Sequence, residues 1–439
     1  MKSVTTFETV NPYSAGIDMG ARNFFVSVDG EKVVNYETFT VDYTNCIQYL
    51  KEQKVQRVAM EATGVYWIAF YEMLEQSGIE ICLVNPKEVK QVKGRKTDVK
   101  DCRWIQKLFS AGLLRQSYIP AGKLKELRMM MREREDTIDM GSAYVNKMQK
   151  ALELMNIKLT NVLAQIHGVS GIKMIEAILA GERNADHLLA LCDARIIKNK
   201  SAVLKKALEG NYNETWLFLL AQNLKMWKQH EQQLAVIDKR IEVLLNELNR
   251  RKADVENTSK EKLIRHHPPK IKALQQKLIN LYGVNVAAIS GLTNYSLLKL
   301  IGETGYDLKQ FPTAKHFVSW CQLSPRNSQS GKMNRKIKLK NKSKAGQVFR
   351  EAAQSLLQSK EIAIGAFMRK IRSKKGGPVA VKAGARKLAT AYYNMITKGS
   401  EYVEEGIKQY EAKLRARELK LIALLARKHK FELVDCQTV

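Results

Sequence analysis

Four acidic residues in the first part of the chain stand where a carboxylate needs a partner. Asp18 interrupts the apolar run AGIDMG, and a buried charge is costly unless it is paired, hydrogen-bonded or bound to a cation. Glu61 ends the apolar run VAME, and Asp98 and Asp101 open the stretch TDVKDCRWIQKLF. Brought together, four carboxylates would suit Mg²⁺, which takes oxygen ligands and often acts in pairs on phosphodiesters.

Each acid also has a simpler interpretation. Asp98 fits a helix cap or a partner of the helix dipole, Asp18 a hydrogen-bonded turn residue, and Glu61 an exposed strand end. The metal interpretation is favoured because all four fall on elements that one fold can bring together.

A second stretch whose residues could do chemistry is the basic loop 324–344. Together with Leu323, which precedes it, the loop reads LSPRNSQSGKMNRKIKLKNKSK. Ser330 precedes glycine, so its hydroxyl sits on backbone that can approach a ligand closely, and Ser328 is a second candidate. From residue 332 onward the loop carries seven cations that suit phosphate: Lys332, Arg335, Lys336, Lys338, Lys340, Lys342 and Lys344. Taken alone, these residues favour a solvated loop that grips a nucleic-acid backbone without chemistry.

The elements that must position the acids follow from hydrophobic periodicity. Residues 14–40 alternate in a way that predicts a three-stranded antiparallel meander, and later strands alternate with helices, which predicts parallel pairing. This order is typical of ribonuclease H and RuvC nucleases. Helical spacing places Asp98 and Asp101 on the side of Cys102, Ile105 and Phe109, so we expect both acids to face the sheet.

Beyond Pro120 the chain is expected to be helical. Two apolar runs, 145–166 and 217–248, fit heptad seams that would pack on each other or on a second subunit. We predict an α/β RuvC-like domain at 1–120, a helical coiled-coil oligomerisation and linker region at 121–260, a mostly α C-terminal domain at 270–400, and a charged helical tail at 401–439.

The overall charge points to a polyanionic partner. Lys and Arg total 73 against 44 Asp and Glu, a net charge of +29, which favours nucleic acid over an anionic membrane or an acidic protein. No stretch has the length of a membrane-spanning helix and the N-terminus has no apolar signal core, so we expect a cytoplasmic protein without membrane contact. The six cysteines form no Cys-x-x-Cys pair, which argues against a zinc site.

Several motifs in order resemble one family over nearly the whole chain. They are GIDMG, AMEATGVYW, KTDVKDCRWIQKL, IHGVSGIKMIEAILAGE, and FPTAKHFVSWCQLSP followed by QSGK. This set is similar to the DEDD transposases of the IS110 and IS1111 group of bacterial insertion sequences. The resemblance implies a RuvC-like domain with a C-terminal transposase domain, in which the DEDD acids correspond to Asp18, Glu61, Asp98 and Asp101, and the serine to Ser330.

One departure concerns the glycine pattern that often precedes the C-terminal domain in this family. It is only partly present, as YGVNVAAISGLTNYSLLKLIGETG, so neither Gly283 nor Gly291 is assigned a DNA contact. His316 lies on an apparent helix core, KHFVSWC, where a structural role is expected.

The resemblance implies Mg²⁺-dependent DNA cleavage and strand exchange through a covalent phosphoserine. The expected partners are the element ends and target DNA, a structured guide RNA as in some relatives, and further copies in a homodimer or homotetramer whose composite site forms between subunits. Six cations are expected to contact nucleic acid: Arg95, Lys96, Lys332, Arg335, Lys336 and Lys338.

Two rival functions remain open at this point. A RuvC-like nuclease or junction resolvase would use water as the nucleophile and leave no protein adduct. A non-enzymatic coiled-coil protein would bind nucleic acid without Mg²⁺ and without cleavage.

Overall fold

The computed structural model describes residues 8–89, 98–249, 261–325, 327–330, 333–336, 343–399 and 407–432. By its internal contacts the chain divides into two compact units, Met1–Ile119 and Pro120–Val439. In the described part of the chain, no helix is both long enough and apolar enough to cross a membrane.

The first unit is a mixed sheet with helices. Its elements are β1 (Ser14–Met19), β2 (Asn23–Ser27), β3 (Val34–Glu37), α1 (Thr40–Glu52), β4 (Arg57–Glu61), α2 (Trp67–Gln76), β5 (Glu80–Val84), α3 (Pro86–Val89) and α4 (Asp98–Ser110). The strand order is β3-β2-β1-β4-β5. Strands β1, β2 and β3 pair antiparallel as a meander, while β4 is parallel to both β1 and β5, as the periodicity predicts. This α/β arrangement is consistent with a ribonuclease H-like domain.

Alternating residues of the strands divide the first unit into two cores. Ile17 and Met60 belong to the face that packs with Phe70 and Leu74 of α2, all fully buried. The intervening residues face the other way, where Ala59 packs with Ile105 of α4. The sheet is therefore covered by α1 and α2 on one face and by α4 on the other.

The second unit is almost entirely helical. Its elements are α5 (Lys123–Leu154), α6 (Leu159–Val162), α7 (Val169–Leu179), α8 (Ala185–Ala190), α9 (Ala194–Ala207), α10 (Glu214–Leu248), α11 (Leu274–Tyr282), a 3-10 helix (Val286–Ala288), α12 (Asn294–Thr304), α13 (Ala314–Trp320), β6 (Asn327–Ser330), β7 (Met333–Lys336), α14 (Lys344–Leu356), α15 (Ala363–Lys375), α16 (Gly377–Lys398) and α17 (Ile407–His429).

Helices α5 and α10 form a long antiparallel hairpin. Lys123 lies 3.2 Å from Glu247 at one end, and the rings of Tyr144 and His230 lie 5.2 Å apart further along. The predicted apolar run 217–248 lies in one continuous helix. It packs on α5 of the same chain, which is the first of the two predicted arrangements, packing of the two runs on each other or on a second subunit. Coiled-coil contact with a second subunit stays a prediction.

The predicted seam 145–166 is wrong beyond Leu154. Helix α5 ends there, and Asn156 adopts a left-handed φ of 58°, a conformation that ends a helix and that asparagine tolerates better than most residues. Leu159 and Ile166 instead pack with α7 and α9, in a core that also includes Met148 of α5 and Leu220 of α10. The equal spacing of apolar residues therefore continues past the point where the helix ends.

The C-terminal helices share one core with the base of the hairpin. Phe317, Phe349 and Tyr392 are fully buried there, and Tyr392 contacts the Tyr282 hydroxyl at 2.9 Å. Two short strands, β6 and β7, lie within the stretch predicted as a loop from 324 to 344. Of the predicted linker, residues 250–260 lie outside the described part, and 261–269 form neither helix nor strand.

Candidate active site

Asp18 and Glu61 stand beside each other at the same edge of the sheet. The parallel register pairs Ile17 with Met60, and one further residue in this register places Asp18 next to Glu61. Adjacent strands lie about 4.8 Å apart and alternate residues share a face, so both acids belong to the face of Gly16 and Ala59. That face is the one covered by α4.

Glycine at position 16 allows α4 to lie directly on β1. A Cβ added to Gly16 would lie 2.4 Å from the Gln106 nitrogen and 2.5 Å from the Cys102 carbonyl oxygen, closer than atoms can approach. The Gln106 side chain donates hydrogen bonds to the carbonyl oxygens of Ser14 (3.4 Å) and Val28 (3.2 Å). These bonds fix the position of the helix along the strand.

The direction of α4 brings its first turn towards Asp18. Asn11, before β1, donates a hydrogen bond of 2.7 Å to the carbonyl oxygen of Phe109 near the end of α4. The helix therefore runs antiparallel to β1, with Asp98 and Asp101 at the edge where β1 ends.

The electrostatics of Cys102 agree with this placement. Burial, together with the smaller effect of the nearby negative charge of Asp18, raises the pKa of the Cys102 thiol to about 12. Cys102 is thus a buried thiol that is poorly suited to nucleophilic attack at neutral pH.

Glu61 is a buried carboxylate with an identified hydrogen-bond donor. Only 6% of the residue is exposed, and the Thr63 hydroxyl donates a hydrogen bond of 2.9 Å to Glu61 Oε1. Thr63 was not among the residues singled out from the sequence. Its signal was its position in MEATG, two residues after an acid that ends a strand.

The structure brings together part of the predicted acidic set. Asp101 is partly exposed in the first turn of α4, and Asp98 begins that helix while its side chain lies outside what is described. Among the described side chains, His, Cys, Asp and Glu form no group of three able to hold one metal ion. Asp18 and Glu61 fit a hard divalent ion by donor type, and the four-ligand set stays a prediction.

Both candidate serines lie on strand β6. Its backbone register pairs Ser328 with Arg335 and Ser330 with Met333. Arg335 and Lys336 are on β7, whereas four other predicted nucleic-acid contacts lie outside the described residues: Arg95, Lys96, Lys332 and Lys338.

The two ends of the serine segment are held together on the C-terminal core. The Ser343 nitrogen donates a hydrogen bond of 3.2 Å to Gln322 Oε1, and Lys382 Nζ of α16 donates one of 3.1 Å to the Ser324 carbonyl oxygen. Ser343 also caps α14 through the Gly346 nitrogen at 3.2 Å. The segment that contains β6 and β7 therefore begins and ends at neighbouring positions of the second unit, where hydrogen bonds hold it.

His316 differs from its predicted position. It is exposed in the first turn of α13 and not in a helix core, and its Nδ1 lies 2.8 Å from the hydroxyl of the capping residue Thr313. The apolar neighbours in KHFVSWC suggested burial, but the helical rotation turns Phe317 and Val318 inward instead.

Comparison with protein families decides the identity of the chain. Residues 15–157 match the model of IS110-type DEDD transposases, described as "Transposase", and residues 285–368 match the "Transposase IS116/IS110/IS902 family". The chain belongs to the IS110 family of DEDD transposases. The resemblance drawn from the motifs is thereby confirmed, and no curated protein shows significant similarity to the chain.

The two matches place both candidate centres of this transposase within recognised family regions. The four acids fall in the first match and both serines in the second, while residues 158–284 are covered by neither. A transposase acts on DNA, and DEDD transposases typically depend on divalent metal. The excess of positive charge, +29, is in keeping with such a substrate.

Proposed function

We propose that this transposase cuts and rejoins DNA by Mg²⁺-dependent in-line phosphoryl transfer through a covalent phosphoserine. The observation that carries the proposal is the placement of Asp18 next to Glu61 on one face of the sheet. Both acids lie at the edge of the sheet where helix α4 begins. Asp98 and Asp101 stand in that turn and complete the proposed ligand set. A divalent ion held by these carboxylates would neutralise negative charge that develops on the phosphate.

In the proposed chemistry, the Ser330 hydroxyl oxygen attacks a DNA phosphorus atom. The bond from phosphorus to one strand breaks as the serine ester forms, and the departing strand oxygen takes up a proton. A hydroxyl of the recipient strand later attacks the phosphoserine, which releases Ser330 and restores a phosphodiester. The number of phosphodiester bonds is conserved, so rejoining needs no nucleotide cofactor.

Basic residues near the serine would hold the substrate. We assign Arg335 and Lys336 to electrostatic support of the reacting phosphate, and Lys332 and Lys338, with Arg95 and Lys96 of the first unit, to contacts with the backbone. Ser328 is the alternative nucleophile, since it lies on the same strand.

The proposal extends to partners and location. We place the protein in the bacterial cytoplasm, at the nucleoid, acting as a homodimer or homotetramer with a structured guide RNA as a second polyanion. Exposed apolar residues on α10 support self-association: Phe218 is 62% exposed and Val236 is 70% exposed.

The acidic centre is tested by neutralising its members one at a time. DNA carrying an element junction is incubated with Mg²⁺, the full chain and any RNA that copurifies, and cleavage is measured for Asp18→Asn, Glu61→Gln and the control Glu80→Gln. Glu80 is an acid at the opposite end of β5, paired with Arg57 at 2.8 Å on the surface. We expect losses of roughly 100-fold or more at Asp18 and Glu61, because even residues that only hydrogen-bond a metal ligand contribute about 10–100-fold. Parent-like cleavage by either acid variant would refute the assignment.

A further inference from the structure

We propose that Thr63 is a positioning residue that orients Glu61 for metal binding, an inference that rests on the proposed function. The Thr63 hydroxyl donates to Glu61 Oε1 at 2.9 Å, and the Thr63 backbone nitrogen donates to the Glu61 carbonyl oxygen at 3.0 Å. Two bonds thus join the same pair of residues, one through the main chain and one through the side chains.

The backbone around Thr63 is fixed on both sides. The Ala62 nitrogen donates a hydrogen bond of 3.0 Å to the Val84 carbonyl oxygen, which extends the pairing of β4 with β5 one residue beyond the strand. Gly64 then turns the chain with a φ of 57°, and its carbonyl oxygen accepts a bond of 3.2 Å from Trp67 Nε1 at the start of α2. The hydroxyl therefore projects from a defined turn.

The side chains make this contact effective. A glutamate has three side-chain torsions, and rotation of its terminal carboxylate is loosely restrained. Threonine is branched at Cβ and therefore stiff at χ1, so its hydroxyl occupies a narrow range of positions. A donor to Oε1 from such a residue restricts the orientation of the whole Glu61 carboxylate.

The contact suits a metal ligand better than a purely structural acid. Partners that hydrogen-bond ligating carboxylates orient them and raise metal affinity. Glu61 lies at the open end of its strand, next to Asp18, and the apolar core of the sheet does not need a carboxylate there. Thr63 itself is only half-buried, so its hydroxyl contributes little to packing.

The test measures Mn²⁺ binding to the full chain by the loss of the free-ion electron paramagnetic resonance signal, without DNA. Thr63→Val and Thr63→Ala both remove the hydroxyl, Thr63→Ser keeps it, and Glu61→Gln removes the proposed ligand. We expect the two variants without a hydroxyl to bind Mn²⁺ roughly 10–100-fold more weakly, and Thr63→Ser to bind it like the parent. Circular dichroism checks that each variant is folded.

Each result has a single meaning. A folded Thr63→Val or Thr63→Ala that binds Mn²⁺ like the parent overturns the role of Thr63, as does a Thr63→Ser variant as weak as Thr63→Val. If Thr63→Val fails to fold, Thr63→Ala and Thr63→Ser decide. Unchanged binding by Glu61→Gln would instead overturn the metal-binding role of Glu61, and with it the proposed function at this position.

Discussion

Gly16 of β1 and Gln106 of α4 approach so closely that a single added carbon on Gly16 would lie 2.4 Å from the Gln106 nitrogen. The neighbouring atoms are backbone, so they cannot rotate away as a side chain would. This contact sets the distance from α4 to the sheet, and hence the placement of Asp98 and Asp101 relative to Asp18.

Gly16→Ala is therefore expected to destabilise the first unit and to lower cleavage together. Forcing extra atoms into a packed interior costs roughly 1–3 kcal/mol in free energy of unfolding. Urea denaturation and the cleavage assay measure the two effects. The control is Gly377→Ala at the first turn of α16, where an added Cβ meets nothing within 4 Å. Equal behaviour of the two variants would show that α4 is not held in this way.

The hairpin of α5 and α10 contains a buried ion pair. Arg134 Nε lies 2.6 Å from Asp238 Oδ1, both side chains are at most 3% exposed, and Arg134 Nη2 also donates to the His267 carbonyl oxygen at 3.0 Å. Asp238→Ala leaves the Arg134 charge buried without its carboxylate, which typically costs about 3–5 kcal/mol.

A matched control links the same two helices on their surface. Arg240 lies 3.2 Å from Glu126, with side chains about half exposed, and Arg240→Ala is expected to cost at most about 1 kcal/mol. Urea unfolding followed by circular dichroism compares the two variants. Similar losses in free energy of unfolding for the two variants would mean that the buried pair does not stabilise the hairpin more than the surface pair does.

Four of the seven histidines line one cavity of about 260 Å³ beside the hairpin, namely His167, His230, His266 and His267. Burial lowers the pKa of His167 and of His267 below the ordinary 6.5, and the charge of His266 adds to this, whereas Glu231 opposes it. The folded chain thus favours the neutral rings of His167 and His267, and unfolding below pH 6.5 takes up protons at these two residues.

Acid is expected to destabilise the folded chain through His167 and His267. The contribution of these rings to stability is complete above the unfolded pKa of about 6.5 and is lost as the pH falls towards the lower folded values. Melting temperatures across this range should decline with acid, and the decline should be shallower for His167→Gln than for the exposed-site control His187→Gln. If the melting temperatures of both variants decline equally with acid, His167 is not the cause of the pH dependence.

The sequence predicts the first unit well because its signals are local. Strand alternation and the position of Asp18 within AGIDMG indicate both the meander and the acidic edge. The heptad pattern did not reveal the helix end before Asn156, since the apolar spacing is equally compatible with one continued helix and with several shorter ones. Thr63 escaped notice because a single hydroxyl has no periodic pattern, and its role depends on a turn formed by pairing with β5.

The central claim is tested most directly by trapping the covalent intermediate. Labelled junction DNA, Mg²⁺, copurifying RNA and the full chain are combined, denatured and resolved by gel electrophoresis, with Ser330→Ala and Ser328→Ala compared. The account predicts a labelled protein–DNA adduct that Ser330→Ala abolishes and Ser328→Ala retains. Cleaved DNA without any adduct, at parent rate in Ser330→Ala, would contradict it and identify water as the nucleophile.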